Sequence, residues 1–159
     1  MVPVEVTLAV LDEQFPSTRR WGERNGWELN VDTAALVIDG RGTHPVDDRP
    51  VRLLAGVDGY PALPPSWRFV DPESGAPTAA TTPNRGSRNG QSSIIYGVGV
   101  ICAHFSRTAF AGGPVPGPHA TDWQLSGWAD ITGGVQAHTL AEMVAVIDDH
   151  LRWSTGWLA

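Results

Sequence analysis

The hydrophobic pattern of this chain changes period twice, and that order constrains the fold more than any other feature. Apolar residues recur at spacings of three and four between Val4 and Trp21, which predicts an amphipathic helix that ends or kinks at Pro16. Near the other end, Thr139 and Glu142 form the signature of a helix capping box, ahead of apolar residues that again share one face. The sequence therefore predicts a helix at each end of the chain.

Short strand-like runs fill the region between these helices. The predicted strands cover residues 27–31, 34–38, 51–57 and 66–70, and residues 94–102 are a further strand candidate. The Asp39-Gly40 pair is expected to end the second run in a turn. Because these strands follow one another with no helix between them, the expected fold class is α+β, with an antiparallel four-stranded meander sheet.

The composition favours one globular domain, residues 1–159, held together without disulfides. The chain has 42% hydrophobic residues and one cysteine, Cys102, so its core is expected to form without covalent staples. The net charge of −6 and the scattered arginines argue against a nucleic-acid partner. No apolar stretch approaches the ~20 residues that span a bilayer, and no signal peptide is recognised. We therefore expect a cytoplasmic protein with no membrane association.

Cys102 is the residue best suited to chemistry, although a lone cysteine is either a small buried hydrophobe or a soft nucleophile. His104 would lie on the same side as Cys102 in an extended chain, where it would tune the thiol or deprotonate an amine. His119 precedes Asp122 and would orient an acceptor. His104 is also compatible with a solvated or core position, and the role of His119 is inferred from its place after the Gly-Pro loop. The histidines and aspartates lack metal-ligand spacing, so no metal is expected.

Several motifs occur in the order in which ubiquitin-conjugating (E2) enzymes carry them. They are Tyr60-Pro61-Ala62-Leu63-Pro64-Pro65 with Phe69, Thr82-Pro83-Asn84, Gly99-Val100-Ile101-Cys102, Trp123 or Trp128, and Thr139-Leu140. Over roughly residues 4–152 the chain resembles the E2 family. Within that family it is most similar to the divergent bacterial type encoded in operons for ubiquitin-like conjugation.

The resemblance implies a UBC-like fold and a transferase. An E1-like activating enzyme, docked on the N-terminal helix, would load the C-terminus of a ubiquitin-like protein onto Cys102 as a thioester. Cys102 would then pass it to an amine of a target protein. Loops over residues 71–92 and 111–118 would gate the site. No cofactor is implied for this chain, and a metalloprotease deconjugase is expected to be encoded nearby.

The resemblance also assigns a role to Asn84. By motif match it takes the family's oxyanion-stabilising position, in which a side-chain amide donates to the tetrahedral intermediate. Residues 85–101 form a longer gap before the cysteine than the family usually has. Asn84 is thus equally well read as an ordinary turn residue, with His104 or His119 assisting Cys102 in its place.

Two other functions stay open at this level. One is a non-catalytic E2-variant module that binds a ubiquitin-like protein and keeps Cys102 as a packing residue. The other is a cysteine hydrolase that uses Cys102, His119 and Asp122. All eleven basic residues are arginine, which fits either GC-rich coding or protection of a carried thioester from the chain's own amines.

Overall fold

A computed structural model describes residues 2–78, 82–110 and 116–156 of the chain. A long N-terminal helix and a shorter C-terminal helix accompany a four-stranded antiparallel sheet and a small hairpin. The elements are α1 (Val4–Asn25), β1 (Glu28–Asp32), β2 (Val37–Thr43), β3 (Pro50–Gly56), β4 (Ser66–Val70), β5 (Ser87–Arg88), β6 (Gln91–Ser92) and α2 (Leu140–Leu151). The predicted α+β class, with a helix before and after a four-stranded sheet, is confirmed.

Helix α1 runs through Pro16, so the expectation that it ends there is wrong. Leu11, Phe15 and Gly22 lie on its buried face, whereas Pro16 is exposed. Pro16 has no backbone N–H, so the carbonyl of Asp12 loses its helical hydrogen bond. Asp12 is exposed, and water can reach that carbonyl. Because burial of one face stabilises the helix along its whole length, the loss of one hydrogen bond on the wet side does not end it.

The four strands pair in sequence order as a meander, β1-β2-β3-β4. Strand β2 continues through Asp39-Gly40, so the prediction of a turn at that pair is wrong. The turn comes earlier, where the Asp32 carboxylate accepts the N–H groups of Ala34 and Ala35 at 2.9 Å. This side chain mimics a backbone turn and starts β2 later than predicted.

Cross-strand contacts hold Asp39 and Gly40 inside the sheet. The Asp39 carboxylate accepts two hydrogen bonds from the Arg52 guanidinium on β3, at 2.8 and 3.1 Å. Gly40 lies under Leu29 of β1, since a β-carbon at Gly40 would come within 2.8 Å of Leu29 Cδ2. Contacts between strands therefore outweigh the local turn preference of the Asp-Gly pair.

Helices α1 and α2 share a polar contact with the Tyr-Pro segment. Oε1 of Gln14 accepts hydrogen bonds from the Tyr60 hydroxyl at 2.9 Å and from the N–H of Leu140, the first residue of α2, at 3.0 Å. The peptide bond after Tyr60 is cis. Thr139 and Glu142 form the predicted capping box at the same helix end. One glutamine thus joins both helices to the segment between β3 and β4.

Residues 94–102 form a tight reversal, and the expected strand is wrong. Val98 has a left-handed φ of 59°, between two glycines that allow the chain to fold back. The Cys102 N–H then donates to the Ile94 carbonyl at 2.7 Å. A single β-bridge from Val100 fastens this segment, the 94–102 reversal, to β4.

The two predicted loops are described only in part. The loop over residues 71–92 contains the β5–β6 hairpin, which the sequence did not predict. Residues 79–81 of this loop and residues 111–115 of the second loop lie outside the described residues. No helix in the described ranges is long and apolar enough to cross a membrane.

Candidate active site

Cys102 lies at the end of the 94–102 reversal with its thiol free and partly exposed. Its neighbours Ile101 and Ala103 are 0% and 3% exposed and belong to the hydrophobic core. The cysteine is therefore held by packed residues on both sides without being sealed into the core itself. The chain continues past Cys102 into a turn and not into an α-helix.

Burial raises the pKa of the Cys102 thiol above its ordinary value, and two charges act on that pKa with opposite signs. The Arg85 guanidinium lowers it, and the Asp122 carboxylate raises it. Because burial dominates, the thiol is protonated at neutral pH. Its reaction as a nucleophile needs the proton to leave as the new bond forms.

Arg85 is a member of the site that sequence reasoning missed. Its Nε–H donates to the Ser93 carbonyl at 3.0 Å, and its guanidinium carbon lies 4.7 Å from the centroid of the Tyr96 ring. These two contacts place the cation against the 94–102 reversal, where its field reaches the Cys102 thiol. No sequence signal distinguishes Arg85, because only folding brings it close to the cysteine.

Three aromatic rings stack on one another in the second part of the site. The Trp123 ring lies between the imidazoles of His104 and His119, with centroid distances of 3.7 and 3.6 Å. The ring planes differ by 24° and 2°. We call these residues the His-Trp-His stack. The structure therefore brings together both histidines predicted from sequence, and Trp123 is the residue that joins them.

His119 is oriented by a carboxylate. Its Nδ1 lies 3.1 Å from both carboxylate oxygens of Asp122. Because an ionised carboxylate only accepts hydrogen bonds, Nδ1 carries the hydrogen, and Nε2 of the neutral ring is left as a proton acceptor. Asp122 is also the acidic group that acts on the pKa of Cys102. The carboxylate that acts on the thiol thus also fixes the tautomer of an imidazole that can accept a proton at Nε2.

His104 sits in a drier position than His119. Its Nδ1 is buried and has no hydrogen-bond partner among the residues that the structure describes. Burial, and secondly the neighbouring His119, lower the pKa of His104. The ring is therefore neutral at physiological pH. An unpaired buried nitrogen is an exception that calls for an explanation, and such exceptions concentrate at functional sites.

Asn84 is occupied by the C-terminal segment. Its side-chain Nδ2–H donates to Thr155 Oγ1 at 2.8 Å, and its Oδ1 accepts from the Thr155 N–H and the Ser154 hydroxyl, both at 2.9 Å. Its backbone N–H donates to the Gly156 carbonyl at 2.7 Å. In this structure Asn84 is bonded to residues 154–156, while the charge of the next residue, Arg85, acts on the pKa of Cys102.

The described residues include no group of three or more His, Cys, Asp or Glu side chains arranged to hold a metal ion. No family model, curated protein or solved structure matches this chain. The resemblance to E2 enzymes therefore depends on the sequence motifs alone.

Proposed function

We propose that the chain is a UBC-like, E2-type conjugating enzyme. It accepts a ubiquitin-like protein from an E1-like enzyme as a thioester on Cys102 and transfers it to an amine of a target protein. The order of helix, four-stranded meander, cysteine-bearing segment and C-terminal helix is consistent with this family. The observation that carries the proposal is Cys102 itself, a partly exposed thiol on whose pKa the Asp122 carboxylate acts, because the same carboxylate orients the His119 imidazole.

The first step is transthiolation. The Cys102 sulfur, losing its proton to water or to the imidazole base, attacks the carbonyl carbon of the thioester on the E1-like enzyme. The carbon–sulfur bond to that enzyme breaks, and its cysteine leaves as a thiolate that takes up a proton. A raised pKa suits Cys102 to this exchange, since two thioesters of similar energy interconvert without a strongly acidified thiol.

The second step is aminolysis, and here His119 has a defined role. The target amine attacks the Cys102 thioester carbonyl, an amide bond forms, and the Cys102 thiolate leaves. Nε2 of His119 takes the proton that the nitrogen loses, and the Asp122 carboxylate stabilises the resulting imidazolium. The proton then passes to the thiolate or to solvent. An oxyanion role for Asn84 would require its hydrogen bond to Thr155 to break.

The test uses a synthetic surrogate that needs no partner protein. A peptide ending in Gly-Gly as a mercaptoethanesulfonate thioester is incubated with the full chain, and the products are weighed by mass spectrometry. We expect one covalent adduct that dithiothreitol removes and that Cys102→Ala does not form. Cys102→Ser should form a slower, reductant-resistant ester. No adduct on wild type, or an adduct retained in Cys102→Ala, would overturn the proposal.

A cysteine hydrolase is the second candidate, because the His119–Asp122 pair is the arrangement that such an enzyme uses. The turn that follows Cys102 speaks against it, since the helix N-terminus that acidifies many hydrolytic cysteines is missing there. The same thioester peptide separates the two functions. Repeated turnover to free acid without an amine indicates a hydrolase, whereas a stable adduct that discharges only on addition of an amine indicates a transferase.

A further inference from the structure

A groove of about 310 Å³ lies beside the 94–102 reversal. Its lining includes Arg68 of β4, Tyr96 and Val98 of the reversal, and Pro116 and Pro118 of the segment that leads into the His-Trp-His stack. We call it the Arg68 groove. It combines one cation with several apolar side chains and borders both chain segments that carry the candidate site.

The apolar part of the groove is exposed although its side chains are large. Tyr96 is 40% exposed and Val98 is 43% exposed. Val98 also adopts a left-handed φ of 59°, a conformation that is unfavourable for a β-branched residue. The fold therefore holds an apolar side chain in water at a conformational cost. This combination indicates a surface that a ligand covers.

The cation of the groove pairs with no acidic side chain among the residues that the structure describes. Arg68 is partly buried, and its Nε–H donates to the Val98 carbonyl at 3.1 Å. Burial lowers the pKa of Arg68, and no carboxylate in the described ranges acts to raise it. A guanidinium has five N–H donors, so this one retains unused donors that fit a carboxylate.

Other arginines of the chain show what Arg68 lacks. Arg52 and Arg107, with side chains 17% and 15% exposed, pair with Asp39 at 2.8 Å and Asp58 at 3.2 Å. A half-buried arginine in this protein is thus normally matched by its own carboxylate. The unmatched one lies in the groove beside the candidate site.

We propose that the Arg68 groove binds an extended peptide in which an acidic side chain pairs with Arg68 and flanking apolar residues cover Tyr96 and Val98. On the transferase function proposed above, this peptide belongs to the target protein. The groove residue Val100 lies two positions before Cys102, and Pro118 directly precedes His119. An acidic residue bound at Arg68 would therefore hold a nearby amine at the thioester, and the site would select targets by an acidic residue close to the modified amine.

The test is an NMR titration of the full chain with two peptides, Leu-Ala-Glu-Leu-Pro and Leu-Ala-Gln-Leu-Pro. We expect the glutamate peptide to bind roughly fivefold or more tightly than the glutamine peptide, as for a partly desolvated ion pair. The largest shifts should fall on the amides of Tyr96, Val98 and Val100. Equal affinity of the two peptides, or shifts that map elsewhere, would overturn the inference.

Two variants make the test specific. Arg68→Gln should bind both peptides equally, and Arg68→Lys should keep a reduced preference for glutamate. Arg41→Gln removes the same charge from an exposed position on β2 and should leave the preference intact. A glutamate preference retained in Arg68→Gln contradicts the inference. If that variant does not fold, the wild-type comparison and Arg68→Lys decide the question.

The titration needs no thioester, so its failure is distinguishable from failure of the proposed function. If the chain prefers the glutamate peptide but never forms a Cys102 adduct, the groove binds acidic peptides and the transferase proposal is wrong. If the chain forms the Cys102 adduct but binds both peptides equally, the transferase proposal stands and the inference about the Arg68 groove is wrong.

Discussion

Two histidine-containing clusters in this molecule differ in how completely their polar atoms are paired. His44 is fully buried, its Nδ1 accepts the Val46 N–H at 3.1 Å, and its Nε2 lies 3.0 Å from Ser154 Oγ. The Ser154 hydroxyl in turn reaches Oδ1 of Asn84 at 2.9 Å. In the His-Trp-His stack, Nδ1 of His104 is buried with no partner among the described residues.

The difference separates a cluster that serves stability from one that serves chemistry. A buried polar group stabilises a fold only when its hydrogen bonds are satisfied, and the His44 network satisfies this condition for the C-terminal segment. The stack leaves one nitrogen unpaired among the described residues and keeps His119 partly exposed and bonded to Asp122, the carboxylate that acts on the pKa of Cys102. We therefore interpret the first cluster as structural and the second as functional.

The largest effect is expected from Ser154→Val. The change removes the hydroxyl that bonds the buried His44 Nε2, whereas Asn84 Oδ1 keeps the Thr155 N–H as a donor. Loss of a hydrogen bond at a buried polar group costs about 1–3 kcal/mol, and we expect the free energy of unfolding to fall by about that amount in urea denaturation. The matched change in the other cluster is His104→Phe, which removes an unpaired nitrogen and should alter stability by less than about 1 kcal/mol. Similar losses of stability in both variants would contradict the distinction between a structural and a functional cluster.

Next in size is the effect of Trp123→Leu on catalysis. Without the platform that holds both imidazoles, discharge of the Cys102 thioester to a free amine should slow by about 10–100-fold. Formation of the thioester should slow less, because Cys102 can lose its proton to water in that step. Single-turnover discharge followed by mass spectrometry measures both steps.

The control for Trp123→Leu is Trp153→Leu. Trp153 also stacks on a histidine, His150, with ring centroids 4.0 Å apart. If discharge depends on the His-Trp-His stack in particular, Trp153→Leu should keep the discharge rate within about twofold of wild type even though it lowers stability. Equal slowing in the two variants would mean that loss of either partly buried tryptophan slows discharge, whether or not it lies in the His-Trp-His stack.

A smaller effect is expected from pH. Burial lowers the pKa of His44 and of His150 in the folded chain, as it does for His104. The folded state then binds fewer protons than the unfolded chain, so stability is complete above the ordinary histidine value of about 6.5 and falls as pH decreases below it. Urea midpoints should decrease from about pH 7.5 to about pH 5.5. Midpoints that rise over this range would contradict the assignment.

The smallest expected effect is on thiol reactivity. The Asp122 carboxylate raises the pKa of Cys102 and the Arg85 guanidinium lowers it. Iodoacetamide should therefore alkylate Asp122→Asn a few-fold faster than wild type at about pH 7.5, and Arg85→Gln a few-fold slower. Asp130→Asn changes an exposed aspartate elsewhere and should leave the rate unchanged. Rate changes of the same sign in the two site variants would show that access, and not charge, controls the thiol.

The parts of the fold that could be predicted from sequence are those with local causes. Thr139 and Glu142 cap α2 through contacts within one helical turn, so four residues of sequence suffice to place its start. Asp39-Gly40 has an equally clear turn signal, but contacts with β1 and β3 override it. The 94–102 reversal has a strand-like composition, but the chain turns back at Val98. The left-handed conformation of Val98 cannot be predicted from sequence, because valine rarely adopts it.

The candidate site divides in the same way. Cys102 and His119 stand out by residue type, and the sequence identified both as candidates. Their arrangement depends on Trp123, which sits between two imidazoles from separate chain segments. The pKa of Cys102 also depends on the charge of Arg85. Neither relation has a sequence signal, since each involves residues that only the folded chain brings together.

The side-chain oxygen of Gln14 affects how the two helices open to solvent. The N–H groups in the first turn of a helix normally exchange quickly with solvent because helix ends fray. Here the Leu140 N–H is bonded to α1, and the same oxygen holds the Tyr60 hydroxyl. Because Leu140 is buried and its N–H is bonded to a residue of α1, we expect this amide to be far better protected than the first turn of a helix normally is, and to approach the protection of the interior of α1. The two helices, far apart in sequence, would then open and close as one cooperative unit.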